Sequence, residues 1–348
     1  MPTSTDSPAA NEAATAPAPP QSSHQRGIDF SRLRDLSLVP VLLVLGLIGF
    51  IVSPAFLTAD NLIGVAQQST ELSLLVLAQA LVLIVGRMDL SLESTIGVAP
   101  VIAVWMVLPS DAGRFSGLGL LPGSFSVPLC LLVGALIGAM NAFLILKLRL
   151  NGFIVTLGAL TMLRGLHIAV SEGQSIVDLP PSFTYLGQTS WLGVPAAVWI
   201  TGLLFAAGGA ALSWLRHGRA LYAIGGNPEA ARTAGIRVDR IVCVVLILAG
   251  VLAALAGILY TGHYGSVSAN QGSGWIFQVF AATVIGGVSL NGGKGTLLGA
   301  LTGVLTLQLV VNIMTLGGVP PLWNQFLNGA IIIVALIISR FASGEKQE

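Results

Sequence analysis

A charge placed inside an apolar chain is costly, so the few present here mark where the molecule would handle a polar solute or an ion. Gln68, Glu71 and Gln79 share one apolar run and fall within about 80° of one another on a helix of 3.6 residues per turn. Such a stripe either lines a pathway or makes hydrogen bonds between helices. Arg164 and His167 stand three apart in another apolar run and share a helix face. Arg164 has the charge to pair with Glu71, although spacing alone does not bring the two runs together. Between two further runs lies Arg87-Met88-Asp89-Leu90-Ser91-Leu92-Glu93-Ser94, which carries both signs of charge. It reads either as a solvated turn with helix caps or as a re-entrant turn reaching toward a translocation path.

A second polar feature is an island from Arg216 to Arg240, RHGRALYAIGGNPEAARTAGIRVDR, flanked by apolar segments. It contains Arg216, Arg219, Arg232, Arg237 and Arg240. Inside it, Asn227 is a good N-cap, Pro228 fits the first helical position, and Glu229 favours the positive end of the helix dipole. Gly235 can take the left-handed conformation that stops a helix. The island therefore predicts one short helix, presented to a soluble partner.

The surrounding elements are set by composition. The chain of 348 residues is 54% hydrophobic and 9% charged, with mean hydropathy +0.86. A soluble domain carries about 25% charged residues, so this surface faces lipid. Runs of about 20 apolar residues cross a bilayer core. Ten are predicted, near 36–53, 61–86, 90–109, 126–147, 151–171, 195–215, 241–261, 275–289, 296–314 and 325–340. The eighth is short, and Gly286, Gly287, Gly292, Gly293, Gly295, Gly299 and Gly303 crowd the segment after it. Helices that end or kink inside the protein are expected there. The predicted fold is thus all-α and polytopic, with about ten transmembrane helices, some broken or re-entrant.

Orientation follows from the basic residues. With both termini in the cytoplasm, the inner side receives Arg26, Arg32, Arg34, Arg87, Lys147, Arg149, the island arginines, Lys294, Arg340 and Lys346. Arg114 alone falls outside, and Arg164 lies within a span. Trp191, Trp275 and Trp323 fall near the outer side, where tryptophan anchors a helix at the interface. Residues 1–30 read as a disordered cytoplasmic tail, 31–343 as the transmembrane domain and 344–348 as a short cytoplasmic tail. The first apolar run follows Arg32 and Arg34 and reads as a retained span, not a cleaved signal. Val85 to Leu90 is echoed 200 residues later by Ile285 to Leu290, the kind of weak internal similarity found in transporters.

Several chemistries are not encoded. Gly293-Lys294 continues with Gly295, and position 288 is valine, so there is no phosphate cradle for ATP. Metal-spaced Cys/His clusters and a nucleophile elbow are missing, and Cys130 and Cys243 lie far apart in apolar runs as small packing side chains. No enzyme activity, metal or bound cofactor is expected of this chain. Gly134, Gly138, Gly250 and Gly257 are expected to let helices pack closely.

Five blocks, taken in order, resemble the permease subunits of ribose-type ABC sugar importers over about residues 36–340. Gly86 to Ser94 is similar to GGIDLSVGS, and Phe153 to Gly158 followed by Arg164-Gly165-Leu166 to FIVTLG and RGL. Gly225-Gly226-Asn227, then Glu229-Ala230-Ala231 with Gly235, resembles the EAA–G signature of import permeases. Ile285 to Leu290 and Gly292 to Thr296 resemble VIGGTSL and GGxGT. The resemblance implies a multi-pass subunit of a bacterial inner membrane that pairs with a second permease, a homodimer or a paralogue. Separate ATPase subunits would use ATP and Mg, and a periplasmic binding protein would deliver a monosaccharide or related polyol. The island (216–241) would be the coupling loop, with Asn227, Glu229, Ala230, Ala231, Arg232 and Gly235 facing the ATPase. Candidates for the translocation path are Gln68, Glu71, Gln79, Asp89, Ser91, Glu93, Thr156 and Arg164.

The chain departs from the family pattern at Arg87 and Glu93, where the sugar permeases usually carry glycine, and at Asn151-Gly152, which replaces prolines or small residues. Arg87 and Glu93 either form an internal ion pair or mark a branch with another cargo. Two alternatives to a sugar permease stand beside it. One is an ABC permease for nucleosides or branched-chain amino acids. The other is an ion-coupled secondary transporter using Glu71, Asp89 or Arg164, which would have no need of a docking helix.

Overall fold

A computed structural model describes residues 39–110 and 115–320, together with Trp323, Phe326, Gly329, Ala330 and Ile333. The two expected tails, Arg114 and most of the run at 325–340 lie outside the described residues. Six described helices are long and apolar enough to cross a membrane: Ala59–Ile84, Gly123–Lys147, Gly152–Ser171, Ala196–Trp214, Val238–Tyr264 and Leu297–Leu316. Shorter apolar helices are Pro40–Val52, Leu92–Val107 and Trp275–Ile285.

In chain order the helices are α1 (Val39–Val52), α2 (Ala59–Ile84), α3 (Leu92–Val107), α4 (Ser126–Ala142) and α5 (Gly152–Ser171). After them come α6 (Pro181–Gln188), α7 (Ala196–Trp214), α8 (Arg216–Gly226), α9 (Pro228–Thr233), α10 (Val238–Tyr264), α11 (Trp275–Ile285) and α12 (Leu297–Leu316). A π-helical turn, Phe143–Lys147, extends α4. Among the described residues, the strand structure is a ribbon of two-residue strands, β1 (Ser190–Trp191) and β2 (Val194–Pro195), with an isolated bridge between Ile176 and Val267.

α2 is the central post. Every residue from Ser69 to Ile84 is buried, and α7, α10, α11 and α12 pack around it. α4 crosses α10 at small residues. A side chain on Gly134 would strike the Gly250 carbonyl and Ala254, and one on Gly138 would strike the Leu246 carbonyl. The expected close approach is therefore present, and backbone meets backbone there.

Among the shorter apolar helices, α3 and α11 fall short of a bilayer core of about 30 Å: at about 1.5 Å per residue, α3 spans roughly 24 Å and α11 roughly 16 Å. α11 stops at Ile285, earlier than expected. Gly287 N–H donates to Val284 O and Val288 N–H to Thr283 O, with Gly287 at φ +81°, which closes a Schellman turn. α2 ends the same way, through Gly86 N–H to Leu83 O and Arg87 N–H to Val82 O. In this geometry Gly86 matches Gly287, one residue away from the pairing read in the sequence.

The island holds two helices where one was expected. α8 forms because Gly218, Leu221 and Ile224 recur on one face and bury it, while Arg216 and Arg219 stay exposed.

Candidate functional site

Glu93 stands in the first turn of α3 and joins three elements. Its Oε1 accepts from Arg164 Nη2 of α5 at 3.0 Å and from Gly274 N–H at 3.1 Å, and its Oε2 accepts from Ile276 N–H at 3.0 Å. Gly274 and Ile276 open α11, so the carboxylate caps that helix as well as lying at the positive end of its own. Arg164 also donates to Gln271 O at 3.2 Å, and Gln271 Nε2 donates to Ile96 O at 2.8 Å. The starts of two short helices thus meet at a buried charged knot.

This decides against two pairings that the sequence left open. Arg164 pairs with Glu93 and not with Glu71, because α5 lies against α3. Glu93 is likewise not the partner of Arg87. Glu71 has its own partner instead, with Oε1 3.1 Å from His263 Nδ1.

The segment between α2 and α3 is not a solvated turn, since Asp89, Ser91 and Glu93 are all buried. Asp89 Oδ1 accepts from Ser91 N–H at 2.9 Å and from Ser91 Oγ at 2.6 Å. Asn141 Nδ2 of α4 donates to Ser91 Oγ at 2.8 Å and, at 3.4 Å, to Asp89. These donors hold the turn inside the protein. His167 is buried against Gly97 of α3, where any side chain at 97 would strike its ring.

The remaining candidates do not join one continuous stripe. Thr156 is buried one turn into α5, donating to Gly152 O at 2.9 Å. Gln68 is exposed, and its carbonyl accepts from Gln308 Nε2 of α12 at 2.7 Å. Gln79 is fully buried, and neither of its amide atoms has a partner among the described residues. Gln271, His263 and Asn141 were not singled out in the sequence. His263 was missed because α10 runs on to Tyr264, beyond the span expected to end at 261.

In the island, the expected caps are present. Asn227 Oδ1 accepts from Glu229 N–H and Ala230 N–H, both at 3.0 Å. Gly235, at φ +83°, donates to Arg232 O while Ile236 N–H reaches back to Ala231 O, a Schellman stop. Glu229, Ala230 and Arg232 are exposed. Ala231 is buried and packs inward, unlike its neighbours. Arg232 pairs with Asp239 at 2.9 Å. Beside the stop, a cleft of about 580 Å³ is lined by Arg216, Arg219, Arg237 and Arg240.

Gly225, in α8 two residues before Asn227, ties the island to the core. It packs between Ile84 O at the end of α2 and Gly293 N, and Gly293 N–H donates to Ile84 O at 3.0 Å. Backbone of α8 thus meets the end of the central post and the turn between α11 and α12.

Residues 61–336 match the family described as branched-chain amino acid transport system / permease component. The ribose import permease protein RbsC of Escherichia coli K12 is 32% identical over 307 residues, covering 87% of this chain and 92% of its own length. The autoinducer 2 import system permease protein LsrC of Klebsiella pneumoniae is 35% identical over 305 residues, covering 88% and 86%. The galactose/methyl galactoside import permease protein MglC of Haemophilus influenzae is 31% identical over 336 residues, covering 93% and 99%. With its short helices meeting at a buried charge and its capped helix on a polar loop, the chain belongs to this family of transport-system permease components.

Proposed function

We propose that the chain is the membrane-spanning subunit of an ABC importer that moves a monosaccharide or a related polyol. The named relatives import ribose, galactosides and autoinducer 2, and none of the three is named for an amino acid. In this reading ten spans place both ends in the cytoplasm, in a bacterial inner membrane, as the distribution of Lys and Arg supports. Two copies, or this chain and a paralogue, form the pathway, and a periplasmic binding protein delivers the solute. The chain binds no cofactor. ATP and Mg belong to the partner ATPase, which docks on α9 through Glu229, Ala230 and Arg232, with Asn227 and Gly235 holding the helix in shape.

The observation that carries this reading is the Gly225 junction, which joins α8, the helix leading directly into α9, to the end of α2 by backbone contact. A rigid link of this kind suits transmission of ATPase closure to the spans. The solute route would run beside Glu93, Arg164 and Thr156, with Asp89 and Ser91 holding the turn below.

Purification with its genomic neighbours tests the proposal. An ATPase should co-purify with the wild-type chain and be lost with Glu229→Arg. Uptake by this chain alone in ATP-depleted vesicles, driven by an ion gradient, would overturn it in favour of a secondary transporter.

A further inference from the structure

Four rings form a continuous cluster at the end of α10 and the start of α11. The Tyr260 and Tyr264 ring centres lie 4.5 Å apart, Tyr260 and Trp275 5.5 Å apart and nearly perpendicular at 76°, and His263 and Tyr264 4.6 Å apart. Behind them is Glu71 of α2, 2% exposed and held by His263. The opposite side is open: Tyr264 is 57% exposed, while Tyr260, His263 and Trp275 are half-buried.

Neither lipid contact nor packing calls for this combination. An aromatic face alone would satisfy a hydrocarbon neighbour, and a carboxylate behind it adds the cost of burying charge. A sugar ring does call for it. It presents a face of C–H groups, which stack on aromatic rings, and a rim of hydroxyls, which need a few placed polar groups. Trp275 is also held rigidly, because the backbone N–H groups on either side of it, Gly274 and Ile276, both donate to Glu93.

We propose that Tyr260, Tyr264 and Trp275, backed by the Glu71–His263 pair, form a carbohydrate-binding station on the transport route. A monosaccharide stacks on Tyr264 and Trp275 and hydrogen-bonds to the partly exposed His263 imidazole, which Glu71 holds from behind. The station rests on the reading of the chain as a sugar permease. With one side open it binds weakly, as a transit site must if the solute is to leave.

The test uses the full-length permease in lipid nanodiscs, followed by tryptophan emission during titration with D-ribose, D-galactose or L-leucine. A saturable change is expected with a sugar and none with L-leucine. It should disappear in Trp275→Phe, and Tyr264→Ala should weaken the apparent affinity about two- to tenfold. In the assembled importer, Tyr264→Ala should lower sugar transported per ATP while ATP hydrolysis stimulated by the binding protein persists. If the wild-type complex imports a sugar that leaves Trp275 emission unchanged, the station is overturned and the sugar reading stands. The same holds if Tyr264→Ala and Trp275→Phe both import at wild-type KM and kcat. Import of L-leucine but of neither sugar would overturn the sugar reading and the station together.

Discussion

Glu93 and Arg164 face each other at 3.0 Å, with side-chain exposures of 8% and 16%, but the two charges are not equally supported. Glu93 also accepts two backbone N–H groups at the start of α11 and lies near the positive ends of two helices. Beyond Glu93, the charge of Arg164 is met by the Gln271 carbonyl.

That asymmetry predicts an order. Glu93→Leu leaves Arg164 uncompensated and orphans two N–H groups, so it should cost about 3–5 kcal/mol. Arg164→Met leaves the carboxylate its other donors and should cost less, about 1–3 kcal/mol. Thermal unfolding of both variants in detergent checks this. A larger loss for Arg164→Met would show that the helix ends contribute little.

The α4–α10 crossing gives a second prediction. At Gly134 the obstacle to a side chain is the Gly250 carbonyl, which cannot rotate away as a flexible side chain could. Gly134→Val should therefore destabilise the protein by about 1–3 kcal/mol or force the helices apart. A change within about 0.5 kcal/mol would mean that the crossing is looser than its geometry.

The caps of α9 give a third. The helix spans six residues, Pro228–Thr233, too few to persist without its ends. Asn227→Ala removes the acceptor for two N–H groups and should cost about 1 kcal/mol of local stability. Gly235→Val forces a β-branched residue to φ +83°, where L residues are strained. Both proteins should insert normally yet transport less solute per ATP hydrolysed. Wild-type coupling ratios in both would remove α9 from the mechanism.

How much of this was legible in the sequence depends on whether the controlling interaction is local. The caps of α9 were readable because Asn227, Pro228 and Gly235 act within a few residues of themselves. The glycine crossing was readable as a tendency, although the facing carbonyls were not. The partners of Glu71 and Arg164 were not readable, since each pairing joins residues at least 71 positions apart across a three-dimensional fold. The turn at Asp89 stayed ambiguous for the same reason. Its burial depends on Asn141, which sits in an apolar run and gives no periodic signal of its own. α8 was hidden within the polar island because its buried face is short and its exposed face is basic.

Gly225 and Gly226 are adjacent in the chain but sit in opposite environments, and this gives the sharpest test of the link between α9 and the core. A side chain at Gly225 would strike both Ile84 O and Gly293 N, backbone atoms that are themselves joined by a hydrogen bond at 3.0 Å. Gly226 has nothing within 4 Å of where its side chain would be. Gly225→Ala should therefore cost about 1–3 kcal/mol by prising α8 from α2. Gly226→Ala should stay within about 0.5 kcal/mol. In the assembled importer, Gly225→Ala should retain the ATPase, because α9 keeps its own caps, and lose most solute uptake. Paired measurements of unfolding temperature, ATPase retention and uptake decide the matter. If Gly225→Ala transports normally, or if Gly226→Ala is damaged equally, the backbone contact with α2 is not the route by which the loop moves the spans.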